Sequence, residues 1–191
     1  LSISACILQM ISHGFISALL FMLVGIVYKK TGSRDVNYLR GLLNPERGLP
    51  ITGTLIILAV MASAGIPGML GFIAEFSVFR GSFPIFPLQT LFCILATGLT
   101  AVYFLLMVNK VFFGRLTPEL ANIPKVLWSE RIPAIILSLL IIIFGLQPNL
   151  LIYWSQNESS VILYGQEKVV NNHTDSEILF QDKIATNTHL Q

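Results

Sequence analysis

The stretch Gly65-Ile66-Pro67-Gly68-Met69-Leu70-Gly71-Phe72-Ile73-Ala74-Glu75-Phe76 decides how the rest of the chain is read. It lies in a long apolar run whose only charge between Gly48 and Phe79 is Glu75. Gly65, Pro67, Gly68 and Gly71 weaken a helix at one place: proline lacks the amide donor and clashes with the preceding turn, and glycine adds backbone freedom. Glu75 follows the break by about two helical turns. A charge in the hydrocarbon of a bilayer costs on the order of 3 kcal/mol or more, so it faces protein or water and by default carries a function. A broken membrane helix with an ionisable group beside the break is the usual design of an ion or proton site.

Working outward, the whole composition agrees with a membrane setting. Of 191 residues, 54% are hydrophobic and only 12% charged, and the mean hydropathy is +0.74. A soluble domain carries about 25% charged residues. The two cysteines, Cys6 and Cys93, lie in apolar runs with no CxxC and no Cys/His cluster. Disulfide, zinc and iron–sulfur chemistry therefore have little support, and both thiols are expected as small buried packing groups. The chain enters an apolar run at Leu1 with no basic leader segment, which reads as a piece of a longer polypeptide rather than a signal peptide.

Four spans are expected, at about 5–28, 50–79, 88–109 and 132–154. Residues 1–28 contain no Lys, Arg, Asp or Glu and end in Tyr28-Lys29-Lys30, an aromatic and two cations as at a membrane boundary. The second run, from Pro50 to Phe79, is too long for one straight crossing, in keeping with the break at Gly65-Pro67-Gly68. The third carries Thr97, Gly98, Thr100 and Ala101, small residues that let helices approach closely in lipid. Pro133 suits the first turn of the fourth, and Tyr153-Trp154 marks its far interface. Residues 155–191 are polar and are expected to be disordered; Asn157-Glu158-Ser159 and Asn172-His173-Thr174 match glycosylation sequons, which arise often by chance.

The loops at 29–49 and 110–131 fall on the same side after an even number of crossings and hold nine of the twelve Lys and Arg residues. The positive-inside rule puts them in the cytoplasm, with residues 80–87 and the tail outside or in a lumen.

No Ser/His/Asp set, phosphate-cradling loop, metal cluster or haem ligand pair is visible, so neither a catalytic nor a cofactor or metal site is expected, and nothing points to nucleic acid. Moving a proton fits better. Glu75 can alternate between protonated and ionised states; the plainer alternative is a structural carboxylate satisfied by a neighbouring helix. His13, beside Ser12 and Gly14, can take up and pass on a proton near neutral pH, or simply bond between helices. Lys110 stands at a span end, as a channel entrance or a snorkelling anchor. Tyr103 is expected to pack, and Arg80 to anchor the far interface.

These residues carry a resemblance. Ser12-His13-Gly14, Leu19-Leu20-Phe21 and Gly25, then Gly32-Ser33-Arg34-Asp35, then Ala64-Gly65-Ile66-Pro67-Gly68 with Gly71-Phe72 and Glu75-Phe76, occur in an order that resembles the antiporter-like membrane subunits of respiratory complex I. Tyr103 and Lys110-Val111-Phe112-Phe113-Gly114 extend it, and the likeness covers residues 1 to about 154. It implies an all-α membrane protein, here the last four of fourteen helices, with the twelfth discontinuous. Glu75, where other members have lysine, implies the chain 4 type, the counterpart of subunit M in bacteria. His13 matches the histidine of the central polar axis, and Glu75, His13 and Lys110 are the implied proton-transfer residues.

The finer likeness is to the cyanobacterial NAD(P)H–quinone oxidoreductase. Asn109 to Leu116, Trp128 to Ala134 and Phe144 to Pro148 resemble its carbon-dioxide-uptake forms. That implies a thylakoid protein whose complex takes electrons from NAD(P)H or ferredoxin and reduces quinone (plastoquinone) on other subunits, with no cofactor held in this chain. Its partners would be the lipid bilayer, protons and other membrane subunits, neighbouring antiporter-like ones among them. The family's proximal glutamate and lysine, on the fifth and seventh helices, are absent from this chain. Two rivals stand beside this reading: a subunit of a multisubunit cation/proton antiporter, and a non-transporting membrane scaffold.

Overall fold

The computed structural model describes residues 2–153 apart from Arg47 and Ala121, and not the side chains of residues 2 and 3. The secondary structure among these residues is helical. The helices are α1 (Ser2–Thr31), α2 (Pro50–Ser63), α3 (Leu70–Ser82), α4 (Pro87–Phe112) and α5 (Trp128–Leu146). Pro50 and Pro87 each open a helix, where the missing amide donor has no partner to lose. Three helices, α1, α4 and α5, are long and apolar enough to cross a membrane. At about 1.5 Å per residue, α2 and α3 span roughly 20 Å each, so neither crosses about 30 Å of hydrocarbon alone. In series they do.

The interruption has a physical signature. Gly65 lies in the left-handed region, φ +69°. Its N–H donates to Ala62 O (3.4 Å) and that of Ile66 to Met61 O (3.2 Å). That is the Schellman ending, with glycine one residue past the cap and proline just beyond. The broken run then starts beside the end of α4, where Gly53 faces the Phe112 ring. It finishes beside the start of α4, where Thr90 Oγ1 bonds Ser82 Oγ at 3.1 Å.

Close approach is made elsewhere than the small residues of the third span suggested. A side chain at Gly71 would run into the carbonyl of Ala62, and one at Gly145 into the backbone of Gly68 and Met69. Ala59, Ala62, Ala74 and Ala134 are likewise fully enclosed. In lipid, where apolar burial drives little, such packing is what holds helices together. Gly98 on α4, by contrast, has open space around it. α4 is the outermost helix: Leu91, Phe92, Leu95, Leu99, Val102 and Leu106 are all exposed.

Further differences from the sequence reading concern details. Cys6 and Cys93 are free and exposed on the outside of the bundle, not buried; an apolar run fixes that a residue is in the span but not which way it faces. Pro133 is inside α5 rather than in its first turn, because the helix already starts at Trp128. There Glu130 accepts the Leu127 N–H at 3.1 Å, which caps an otherwise free amide. The expectations for the tail, its sequons and Trp154 lie outside the described residues.

Both basic loops meet at one end. Leu42 N donates to Val111 O (3.2 Å) and Leu43 N to Phe112 O (3.1 Å), and Thr117 Oγ1 donates to Tyr38 O (3.1 Å). At the same end Glu130 receives Lys29 (2.7 Å) and Lys30 (2.9 Å), tying the last turn of α1 to the first turn of α5.

Candidate functional site

A cavity of about 290 Å³ opens between α1, the break and α4. Polar groups reach it from every side: Gln9, Ser12, His13 and Ser17 from α1, Ser63 and Glu75 from the broken run, and Thr100 and Tyr103 from α4. Gln9, His13 and Ser17 recur every four residues, so one stripe of α1 supplies most of the lining.

Glu75 sits in the second turn of α3, and helical side chains lean toward the N-terminus. Its carboxylate therefore points back at the break. Oε2 lies 2.6 Å from where a Cβ on Gly65 would be. The carboxylate is half-buried and has no hydrogen bond or ion pair with any described residue. His13 is exposed toward the cavity, with one ring nitrogen 3.3 Å from Ser17 Oγ. Glu75 and His13 thus share one space.

Lys110 does not line it. Its ammonium donates to Asn37 Oδ1 at 2.6 Å, in the basic-loop end of the bundle. Seven residues of helix, roughly 10 Å, separate it from Tyr103. Gly65, Pro67 and Gly68 lie in the break between α2 and α3, whereas Gly71, expected to belong to it, is already the second residue of α3, where it packs on Ala62 and lines the cavity.

Five polar groups on the cavity wall were not among the expected site residues: Gln9, Ser12, Ser17, Ser63 and Thr100, of which Ser12 was read only as a neighbour of His13 and Thr100 only as a small packing residue. Gln9 was within reach, since it precedes His13 by one helical repeat in a charge-free span. Its Oε1 is enclosed with no hydrogen-bond partner among the described residues. Tyr103 packs its ring on Phe104, with centroids 4.6 Å apart, yet also borders the cavity. Polar side chains on four helical segments, converging on a carboxylate and an imidazole at a helix break, suit proton exchange.

Residues 1–102, just over half of the chain, match the sequence profile of the NADH:quinone oxidoreductase/Mrp antiporter transmembrane family. The chain belongs to this family. Among curated relatives, the F(420)H(2) dehydrogenase subunit M of Methanosarcina mazei is 31% identical over 163 residues, covering 85% of this chain and 32% of that protein. The NADH-quinone oxidoreductase subunit M of Rickettsia prowazekii is 35% identical over 150 residues, 78% of this chain and 30% of that protein. That of Escherichia coli is 29% identical over 151 residues, again 78% of this chain and 29% of that protein. The chain spans about a third of the length of the curated relatives it matches. A solved Mrp complex from a Dietzia species shares the fold, with a TM-score of 0.66 at 21% identity over 80% of this chain and 36% of that one.

Proposed function

We propose that this chain forms the distal proton-translocating part of a chain 4-type (subunit M) membrane subunit of a quinone-reducing oxidoreductase. The observation that carries the reading is the carboxylate of Glu75, directed at a helix break and facing the same polar cavity as His13. Family membership and the names of the relatives support it. Glu75 takes up and releases the proton, and His13 passes it along the polar face of α1 toward neighbouring subunits. Lys110 stands near an entrance at the basic-loop end. Quinone and the electron donor, NAD(P)H or ferredoxin, are handled by other subunits of the complex. The segments Asn109 to Leu116, Trp128 to Ala134 and Phe144 to Pro148 support the finer reading of a cyanobacterial, carbon-dioxide-uptake form in the thylakoid membrane. Fractionating the source cells and locating the chain tests that reading: recovery outside thylakoid membranes ends it.

The decisive experiment is Glu75→Gln in the assembled complex, which keeps the shape and removes the exchangeable charge. Assembly is expected to be normal, with proton pumping and coupled electron transfer severely reduced. Unchanged pumping would leave Glu75 as a helix pin and favour a scaffold. A cation/proton antiporter is the second reading, favoured by the Mrp members of the same family. Vesicle transport that requires sodium would select it.

A further inference from the structure

The cavity explains what Glu75 faces, but not why its carboxylate rests where it does. On the side of the break, Oε2 occupies the space that any side chain at position 65 would need, 2.6 Å from the Cβ position. Gly65 holds that place with φ +69°, a left-handed turn fixed by the Gly65 and Ile66 amides bonding back to Ala62 and Met61. No hydrogen bond or ion pair to a described residue holds the carboxylate instead.

We propose that Gly65 is a positioning residue for proton transfer: the missing side chain at the helix break is the seat of the Glu75 carboxylate. This rests on Glu75 being the proton carrier. The role is distinct from breaking the helix. A break needs only a residue that accepts the left-handed conformation, which asparagine does several-fold more readily than most residues. A seat needs that residue to have no side chain. The colliding atom is the free end of a flexible side chain, so a Cβ at 65 moves the carboxylate rather than the helices.

Gly65→Ala, Gly65→Asn and Gly65→Asn combined with Glu75→Asp test this in the assembled complex, reading assembly, electron transfer and proton pumping across a pH series. Both single substitutions are expected to lower pumping about tenfold or more, the scale on which an ångström of misplacement acts, and to displace its pH profile. Wild-type pumping with an unchanged profile in Gly65→Asn would overturn the proposal, because backbone conformation alone would then suffice. If the single variants do not assemble, Glu75→Asp, one methylene shorter, is expected to restore assembly of Gly65→Asn, whose backbone tolerates the left-handed turn; failure to do so also overturns it. The underlying reading fails separately, if Glu75→Gln pumps normally. If Glu75→Gln is inactive and Gly65→Asn is normal, only the seat is lost.

Discussion

His13 and Lys110 are both ionisable, yet the structure gives them different surroundings and so different expected weights. His13 faces the cavity shared with Glu75, and its contact to Ser17 is long at 3.3 Å. A hydrogen bond of that length adds little, whereas removing a proton-exchanging imidazole removes a step. His13→Ala is expected to lower proton pumping by at least about tenfold with the complex assembled, while Ser17→Ala changes it by less than about threefold. Pumping by purified complex in vesicles checks both; equal effects would mean that His13 acts only through its contact with Ser17 within α1. Lys110 is bound to Asn37 outside the cavity. Lys110→Ala should therefore slow pumping less than His13→Ala does, and a loss as large would place the entrance at the ammonium itself.

At the scale of elements, the break is a packed joint rather than a slack hinge. α3 starts against the last turn of α2 at Gly71, and α5 closes over it at Gly145. At Gly71 the obstructing atom is a backbone carbonyl, which has no rotamer to yield. Gly71→Ala is expected to destabilise the fold by about 3 kcal/mol and to lower the amount of assembled complex on native gels. A normal yield would show that the joint can open. The clamp between α1 and α5 makes a second, graded prediction. Lys30 is 9% exposed and also donates to Lys125 O at 3.2 Å, while Lys29 is 69% exposed. Water and salt screen the outer pair, so Lys30→Ala should lower the melting temperature of the complex more than Lys29→Ala. Much of this level was legible beforehand. Ala64-Gly65-Ile66-Pro67 spells a helix stop, because glycine accepts the left-handed turn and proline cannot continue the helix. The helix faces were not legible. In lipid an exposed apolar side chain and a buried one look the same in sequence, which is why Cys6, Cys93 and Gly98 were placed inward and lie outward. Glu75 and His13 could be picked out because polarity is rare in a span. That Gln9, Ser63 and Thr100 join them depends on how three segments rotate about their axes, which no local pattern records.

For the whole molecule, the open question is which end faces which compartment. The two basic loops are one structural unit: backbone bonds from Leu42 and Leu43 to Val111 and Phe112 join them. Eight described Lys and Arg residues thus sit in segments fastened to the same end, with Arg47 in the same stretch of sequence, against Arg80 alone in the last turn of α3 opposite. Translocating such a cluster is unfavourable, so that end should stay in the cytoplasm. Cysteines placed at Glu46 and Glu119, both exposed, and at Pro84, exposed at the other end, make this measurable once Cys6 and Cys93 are replaced by alanine. A membrane-impermeant maleimide should reach Glu46→Cys and Glu119→Cys from the cytoplasmic face, and Pro84→Cys only from the opposite one. The two outcomes that contradict this differ in what they remove. Labelling of the two loops from different faces would mean that α2 and α3 do not together complete a crossing. Labelling of both from the non-cytoplasmic face would keep the fold and reverse the direction of the proton path proposed for the Glu75 cavity.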